Sequence, residues 1–434
     1  MERRSNIALA MCLVAALSSG IAHADSSLTV ETGVGHSDNI TRVQDGAIDE
    51  TLATAGVDLV WDLQRPRFTA DATLNADYFS YLDDTYDSEV VGSGNANLNF
   101  AIAPERFNWM VQDYYGQASN DPFAPVTPDT REDVNMFSTG PDFTFHFGDA
   151  GMVRLYGNYS LGTYETSPLD SQRTSFGASV GRGAARGGGL SFNVAEQSVE
   201  FDDQPSSGYD QRSAFLAYRI AGARTEIRVE GGYTWLEPEV GEETGAPRAL
   251  VEISRQMSPG STLVLNLGTQ LTDSSSALGS SIDGPIGSTP GITASADPYE
   301  NHNAALIWRF TRRRTSLDLG ASWNAEEYLT QTALDRKRIG WTAAISRDFG
   351  ARLTGRIDGT LMDDDFDATD FSATTREFGA SLSWQMGRSL GLRLQAQRSN
   401  RTTSTGVGEY TENRVYLRVY YIALRGTPDG GAAP

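Results

Sequence analysis

The chain has almost no sulfur chemistry to offer. Its single cysteine, Cys12, lies in the opening stretch, so a chain that loses this stretch has no disulfide, thiolate nucleophile or thiolate metal site. Histidine is nearly as scarce. Only His36, His146 and His302 follow residue 24, too scattered for a zinc centre, and no cofactor or metal is expected. Beyond Ile21 no run approaches the ~20 apolar residues of a membrane-crossing helix. Apolar spacing at i, i+3 and i+4 is missing. Basic residues are in deficit, 35 against 56 acidic, for a net charge of −21. A surface this negative repels phosphate backbones, which argues against a nucleic-acid partner.

What is present begins with a leader, "MERRSNIALAMCLVAALSSGIAHADSS". Arg3 and Arg4 make a basic start, Ile7 to Ile21 an apolar run, and Ala22-His23-Ala24 a small-x-small cleavage site. The run is too short for an anchor helix, and cleavage after Ala24 is expected. Cys12 follows Met11 and stands too early for lipid attachment. Loss of Glu2, Arg3 and Arg4 leaves 33 basic and 55 acidic residues, a net charge of −22. The remaining texture is uniform. It predicts a signal peptide at 1–24, one body at 25–424 and a short polar tail at 425–434.

That body is written in period 2. "SLGLRLQAQRSN" sets Leu390, Leu392, Leu394 and Ala396 against Gly391, Arg393, Gln395 and Gln397. "TEIRVEGGYTW" sets Ile227, Val229, Tyr233 and Trp235 against Glu226, Arg228, Glu230 and Thr234. Each such segment spans roughly 9–12 residues, enough for a tilted strand to cross a bilayer core. Connectors alternate too. Nine are tight, among them "QRPR", "PER", "RRR" and "FGAR", and most carry arginine. Those between are longer and acidic, such as "NDPFAPVTPDTRED", "EPEVGEETG" and "DDDFDATD". Short turns on one rim and long loops on the other mark an outer-membrane barrel.

The expected fold is therefore all-β: a transmembrane antiparallel up-and-down barrel of about twenty strands, with both termini on the periplasmic, short-turn side. Eighteen is the alternative count, since boundaries read this way slip by a few residues. A soluble all-β protein would explain the alternation. It would not explain so many strands of membrane-crossing length, with Trp and Tyr near their ends. Arginine at the lipid midplane costs about 2–4 kcal/mol, which fixes the phase: leucines to lipid, Arg393 to the inside. The first strand starts close to residue 25, so no plug domain is expected before it. The insertion at 273–300, rich in Ser, Gly and Pro, either folds inward as a constriction or forms a surface loop.

The inward phase nominates lumen-lining residues: Arg154, Tyr156, Arg228, Glu230, Arg356, Asp358, Arg393, Arg414, Tyr416, Arg418 and Tyr420, with Glu226 beside them. Tyrosine gives a flat apolar face with a polar tip and arginine five donors, a pairing suited to a polar polymer. The same residues would equally serve as structural networks across the lumen. Catalytic readings are weaker, and no enzyme is expected. "GASVG" (Gly177–Gly181) matches a nucleophile elbow but sits inside a strand-like segment. His302 in "NHN" has no serine tied to it. "DDDFDATD" lacks the glycine and terminal glutamate of a calcium loop, and reads as a solvated loop that could share divalent ions with lipopolysaccharide.

"ETGVGHSDNITR" (31–42) and "ENRVYLRVYY" (412–421) resemble the opening and closing strands of β-barrel porins associated with exopolysaccharide and exosortase/PEP-CTERM loci. The resemblance implies an outer-membrane conduit for polysaccharide secretion. Its partners would be outer-membrane lipid, lipopolysaccharide, the polysaccharide and periplasmic export components. A general diffusion porin is the alternative, and a lipid-modifying enzyme of the outer membrane stands third. Unlike barrels that end on an aromatic residue, this chain continues past Leu424, so its assembly signal would be internal, at Tyr420 or Tyr421.

Overall fold

The computed structural model describes residues 25–148, 150–183, 188–281 and 292–424. The expected leader and tail lie outside them. The first seven strands are β1 (Asp25–Ser37), β2 (Glu50–Arg65), β3 (Phe68–Tyr81), β4 (Glu89–Ala103), β5 (Phe107–Ser119), β6 (Arg131–Phe147) and β7 (Gly151–Tyr164). Next come β8 (Ser171–Gly183), β9 (Gly189–Phe201), β10 (Tyr209–Ala221), β11 (Thr225–Pro238), β12 (Thr244–Ser258) and β13 (Ser261–Thr272). One short helix, α1 (Ser274–Ser281), precedes β14 (Tyr299–Arg312), β15 (Thr315–Tyr328), β16 (Arg336–Asp348) and β17 (Leu353–Phe366). The wall is completed by β18 (Phe371–Gln385), β19 (Leu390–Thr403) and β20 (Tyr410–Leu424).

Each strand pairs antiparallel with the next, and β1 pairs with β20 from Leu28↔Leu424 to Ser37↔Arg414. The sheet closes on itself as a twenty-strand barrel. Closure matters physically, because an open edge in lipid would leave a row of backbone N–H and C=O groups unpaired. The described ends of β1 and β20 lie together on the short-turn rim.

The period-2 phase carries through. On β19 and β20, Leu390, Leu394, Leu417 and Val419 stand 41–48% exposed on the outer face. The opposite phase converges: Arg393 of β19 and Arg418 of β20 both reach Glu31 of β1, as side chains on a concave wall can.

Strands are longer than their sequence pattern predicts, from 12 residues in β13 to 17 in β6. About ten tilted residues suffice for the bilayer, so the excess extends beyond it. Asp363, Asp364 and Asp365, expected in a loop, lie in β17, and Glu237 and Pro238 lie in β11. Ladder hydrogen bonds continue where hydrophobic alternation stops, and the pattern alone underestimates the strand.

Candidate permeation path

The inner wall is densely charged where the barrel closes. Glu31 accepts from Arg393 Nη1 at 2.9 Å and from Arg418 Nη1, and Arg418 also donates to Asp77 Oδ1 at 3.1 Å. The cluster spans β19, β20, β1 and β3, and a glycine makes it fit. Gly56 of β2 stands between Glu31 and Asp77, where a Cβ would fall 2.5 Å from Asp77 Oδ1 and 3.0 Å from Glu31 Cγ. Arg393 lies over the Tyr420 ring at 5.5 Å and Arg418 over Tyr416 at 4.9 Å. Further along β20 toward the long-loop rim, Arg414 donates to Glu412, which also accepts from Ser37 Oγ at 2.6 Å and Arg42 Nε at 2.9 Å.

The other nominated residues do not join this group. Arg154 donates to Asp142 through Nε at 2.7 Å and stacks 5.2 Å over Tyr156. Arg228 and Arg248 share Glu230, and Arg228 lies 3.5 Å from Glu252. Glu226 accepts from Arg219 near the short-turn rim. Arg356 meets Asp358 at 3.2 Å. The set is thus five separate groups around the inner wall. Sequence reasoning missed the partners Glu31, Asp77, Asp142, Arg248 and Glu412. Each lies on the polar phase of a strand, which is the signal that would have found it.

The long-loop mouth is crossed by chain. The described parts of the 273–300 insertion fold inward, taking the inward alternative over a surface loop. Asp273 is bound by Arg173 of β8, with Nη1 at 2.6 Å and Nη2 at 2.9 Å, and by the Tyr209 hydroxyl of β10. It also caps α1 by accepting from Ser276 N at 2.9 Å. Burial by itself would raise the Asp273 carboxyl, but the Arg173 guanidinium outweighs it and holds the group below the ordinary carboxylate range. Tyr164 OH meets Ser274 Oγ at 2.8 Å. The returning strand of the strap hydrogen-bonds Ser119 of β5 through Ile292 O and Ala294 N, both at 2.9 Å. Beneath it Ala296 packs with Val134, Tyr164, Val199, Phe201 and Leu236, an apolar patch on the inner wall that would otherwise face water.

A second crossing comes from the 120–130 connector between β5 and β6. Phe123 sits 4.8 Å from Phe366 and 5.4 Å from Phe371 on the far wall. Arg401 Nη2 holds the Phe123 carbonyl at 2.8 Å, and Arg42 Nη1 the Val126 carbonyl at 2.5 Å. Acidic residues tie these loops down. Glu50 accepts from Asp83 N at 2.8 Å, Glu132 from Ser167 N at 2.8 Å, and Asp297 from Thr330 N and Gln331 N at 2.8 and 2.7 Å. In the 363–370 stretch, Asp364 pairs with Arg338 and Asp367 with Lys337, each at 2.6 Å.

The catalytic motifs fall on regular wall. Gly177–Gly181 runs within β8, away from any strand-to-helix turn. His302 Nδ1 lies 2.9 Å from Thr269 Oγ1, and its Nε2 lies 3.6 Å from Glu300.

A closed wall, apolar outside and charged inside, defines the class: a porin-like β-barrel of the outer membrane. Its C-terminal part, residues 300–421, matches the family model described as "Putative beta-barrel porin 2". No match is found among curated proteins. Among solved structures, the chain is similar to OccK2 (OpdF) of Pseudomonas aeruginosa at 12% identity, covering 93% of this chain and 98% of that one, with a TM-score of 0.37. It is similar to the FrpB iron transporter (F3-3 variant) of Neisseria meningitidis at 9% identity, covering 92% and 81%, with a TM-score of 0.45. The siderophore receptor PirA of P. aeruginosa matches at 10% identity, covering 91% and 80%, with a TM-score of 0.42. At these scores the likenesses add nothing to the topology read directly from the strand pairing.

Proposed function

We propose that this barrel is the outer-membrane conduit of an exopolysaccharide secretion system. The observation that carries the reading is the stacking of arginine on tyrosine along the inner wall, at Arg154/Tyr156, Arg393/Tyr420 and Arg418/Tyr416. Such pairs offer a sliding hydroxylated polymer flat faces and guanidinium donors on the lumen side without a deep binding pocket. Asp71, Asn97 and Gln112 extend the path as a ladder of amide and carboxylate groups, with bonds of 2.9 and 3.0 Å. Arg154, Tyr156, Arg228, Glu230, Arg356, Asp358, Arg393, Arg414, Tyr416, Arg418 and Tyr420 would line it. The terminal segments 31–42 and 412–421, through their family resemblance, support the same cargo. Passage of a chain requires the strap and the Phe123 connector to move aside.

A general diffusion porin is the second reading. It is favoured by the inner-wall arginines Arg154, Arg228, Arg356 and Arg393 being held by carboxylates, which leaves these four without a free charge to select one cargo. Deletion of the gene decides between them. Loss of surface polysaccharide with unchanged uptake of small solutes supports the conduit, and the reverse pattern supports the porin.

A further inference from the structure

Two sets of arginines differ in their partners. On the inner wall Arg154, Arg228, Arg356 and Arg393 each meet a carboxylate. Those at the short-turn rim are exposed, and among the described residues Arg65, Arg182, Arg255, Arg312 and Arg347 make no ion pair. Five uncompensated guanidinium groups at one end of a chain with net charge −21 are a marked asymmetry.

Their position along the strands is more telling than their number. Each continues the outward phase of its strand by one step: Leu63 to Arg65, Val180 to Arg182, Ile253 to Arg255, Phe310 to Arg312, Ile345 to Arg347, with Val180 and Ile345 exposed and Leu63 covered by its apolar neighbours. The same rim carries exposed outward aromatic rings at Phe100, Trp109, Phe147, Phe349 and Trp384. An open depression between Leu353 and Trp384 is bordered by Arg352. A side chain one step below the apolar belt lays its methylenes on hydrocarbon and lifts its charge to the headgroup level. There the guanidinium fork matches phosphate oxygens.

We propose that the short-turn rim is a phospholipid collar. Arg65, Arg182, Arg255, Arg312 and Arg347 hold the phosphates of anionic glycerophospholipids in the leaflet on that side of the membrane. The inference rests on the membrane placement of the barrel and is independent of its cargo. A soluble acidic protein docking on this end would meet the turn tips instead, at Arg67, Arg224 and Arg313.

The test uses the purified full-length barrel in neutral detergent with equal amounts of phosphatidylglycerol and phosphatidylcholine. Retained lipid is counted by native mass spectrometry. The unaltered protein should retain phosphatidylglycerol over phosphatidylcholine by about tenfold or more. The variant R65Q/R182Q/R255Q/R312Q/R347Q should fall to about parity, while R67Q/R224Q/R313Q keeps the preference. Equal retention by the unaltered protein overturns the proposal. So does a preference that survives the five outward substitutions, or one lost only with the turn tips. Heat-modifiable migration checks that each variant is folded. If the fivefold variant is not, the unaltered protein decides: a preference present at about 50 mM salt and lost at about 500 mM supports the collar, and one indifferent to salt overturns it.

Discussion

Glu31 is the residue on which the closing seam turns, since two arginines from two strands converge on it. Glu31→Gln takes the carboxylate from Arg393 and leaves Arg418 with Asp77 alone. Heat-modifiable unfolding should show a loss of about 1.5–3 kcal/mol, the worth of hydrogen bonds to a charged group. Bilayer reversal potentials should shift toward anions. Asp273 makes a different case, because it anchors the strap rather than a strand. Asp273→Asn strands the buried Arg173, a loss of about 3–5 kcal/mol at the pair. The strap should release, and single-channel conductance should rise. Acid should act likewise, but late. A carboxylate held below its ordinary value contributes stability above the unfolded pKa of 3.8 and loses it as pH falls through the still lower folded value. Conductance should stay flat from about pH 8 to about pH 4 and rise only in stronger acid. At this scale the sequence showed the polarity of Arg393 and Arg418 but not their partner. Glu31 lies 362 and 387 positions away, and only closure of the barrel brings them together.

Single strands were the most legible objects. The phase of β19 followed from its own twelve letters, because one slip of register would put Arg393 into hydrocarbon. Leu394 stands in the middle of the outward row, so Leu394→Arg should reduce folding stability in vesicles by about 2–4 kcal/mol, read by urea titration. Gln395→Arg, one residue on and facing inward, should change it by no more than about 0.5 kcal/mol. Equal effects would invert the assignment of the two faces. Strand ends were less legible. β17 and β11 run on through acidic residues that resemble loop, since backbone pairing needs no hydrophobic alternation once the strand has left the bilayer. The two inward crossings were hidden for another reason. Phe123 is a lone aromatic in a Pro-rich connector, and its partners Phe366 and Phe371 belong to the far wall.

For the whole molecule, a barrel bridged at its mouth should conduct poorly when reconstituted alone. Planar bilayers should show small or rare openings for the unaltered protein and larger ones for Asp273→Asn. Equal conductance would mean that the strap does not obstruct flow. The class of fold, the alternation of short and long connectors and the solvent of each face were already written in the order of residues, while the choice of twenty strands over eighteen needed the strand pairing. The first three follow from local periodicity and from the cost of placing polar groups in lipid. Only the tertiary structure decided which charges neutralise one another and what fills the mouth. Both depend on a ring closing between residues at opposite ends of the chain, and on a Ser- and Gly-rich strap whose apolar partners sit on strands that carry no local mark of it.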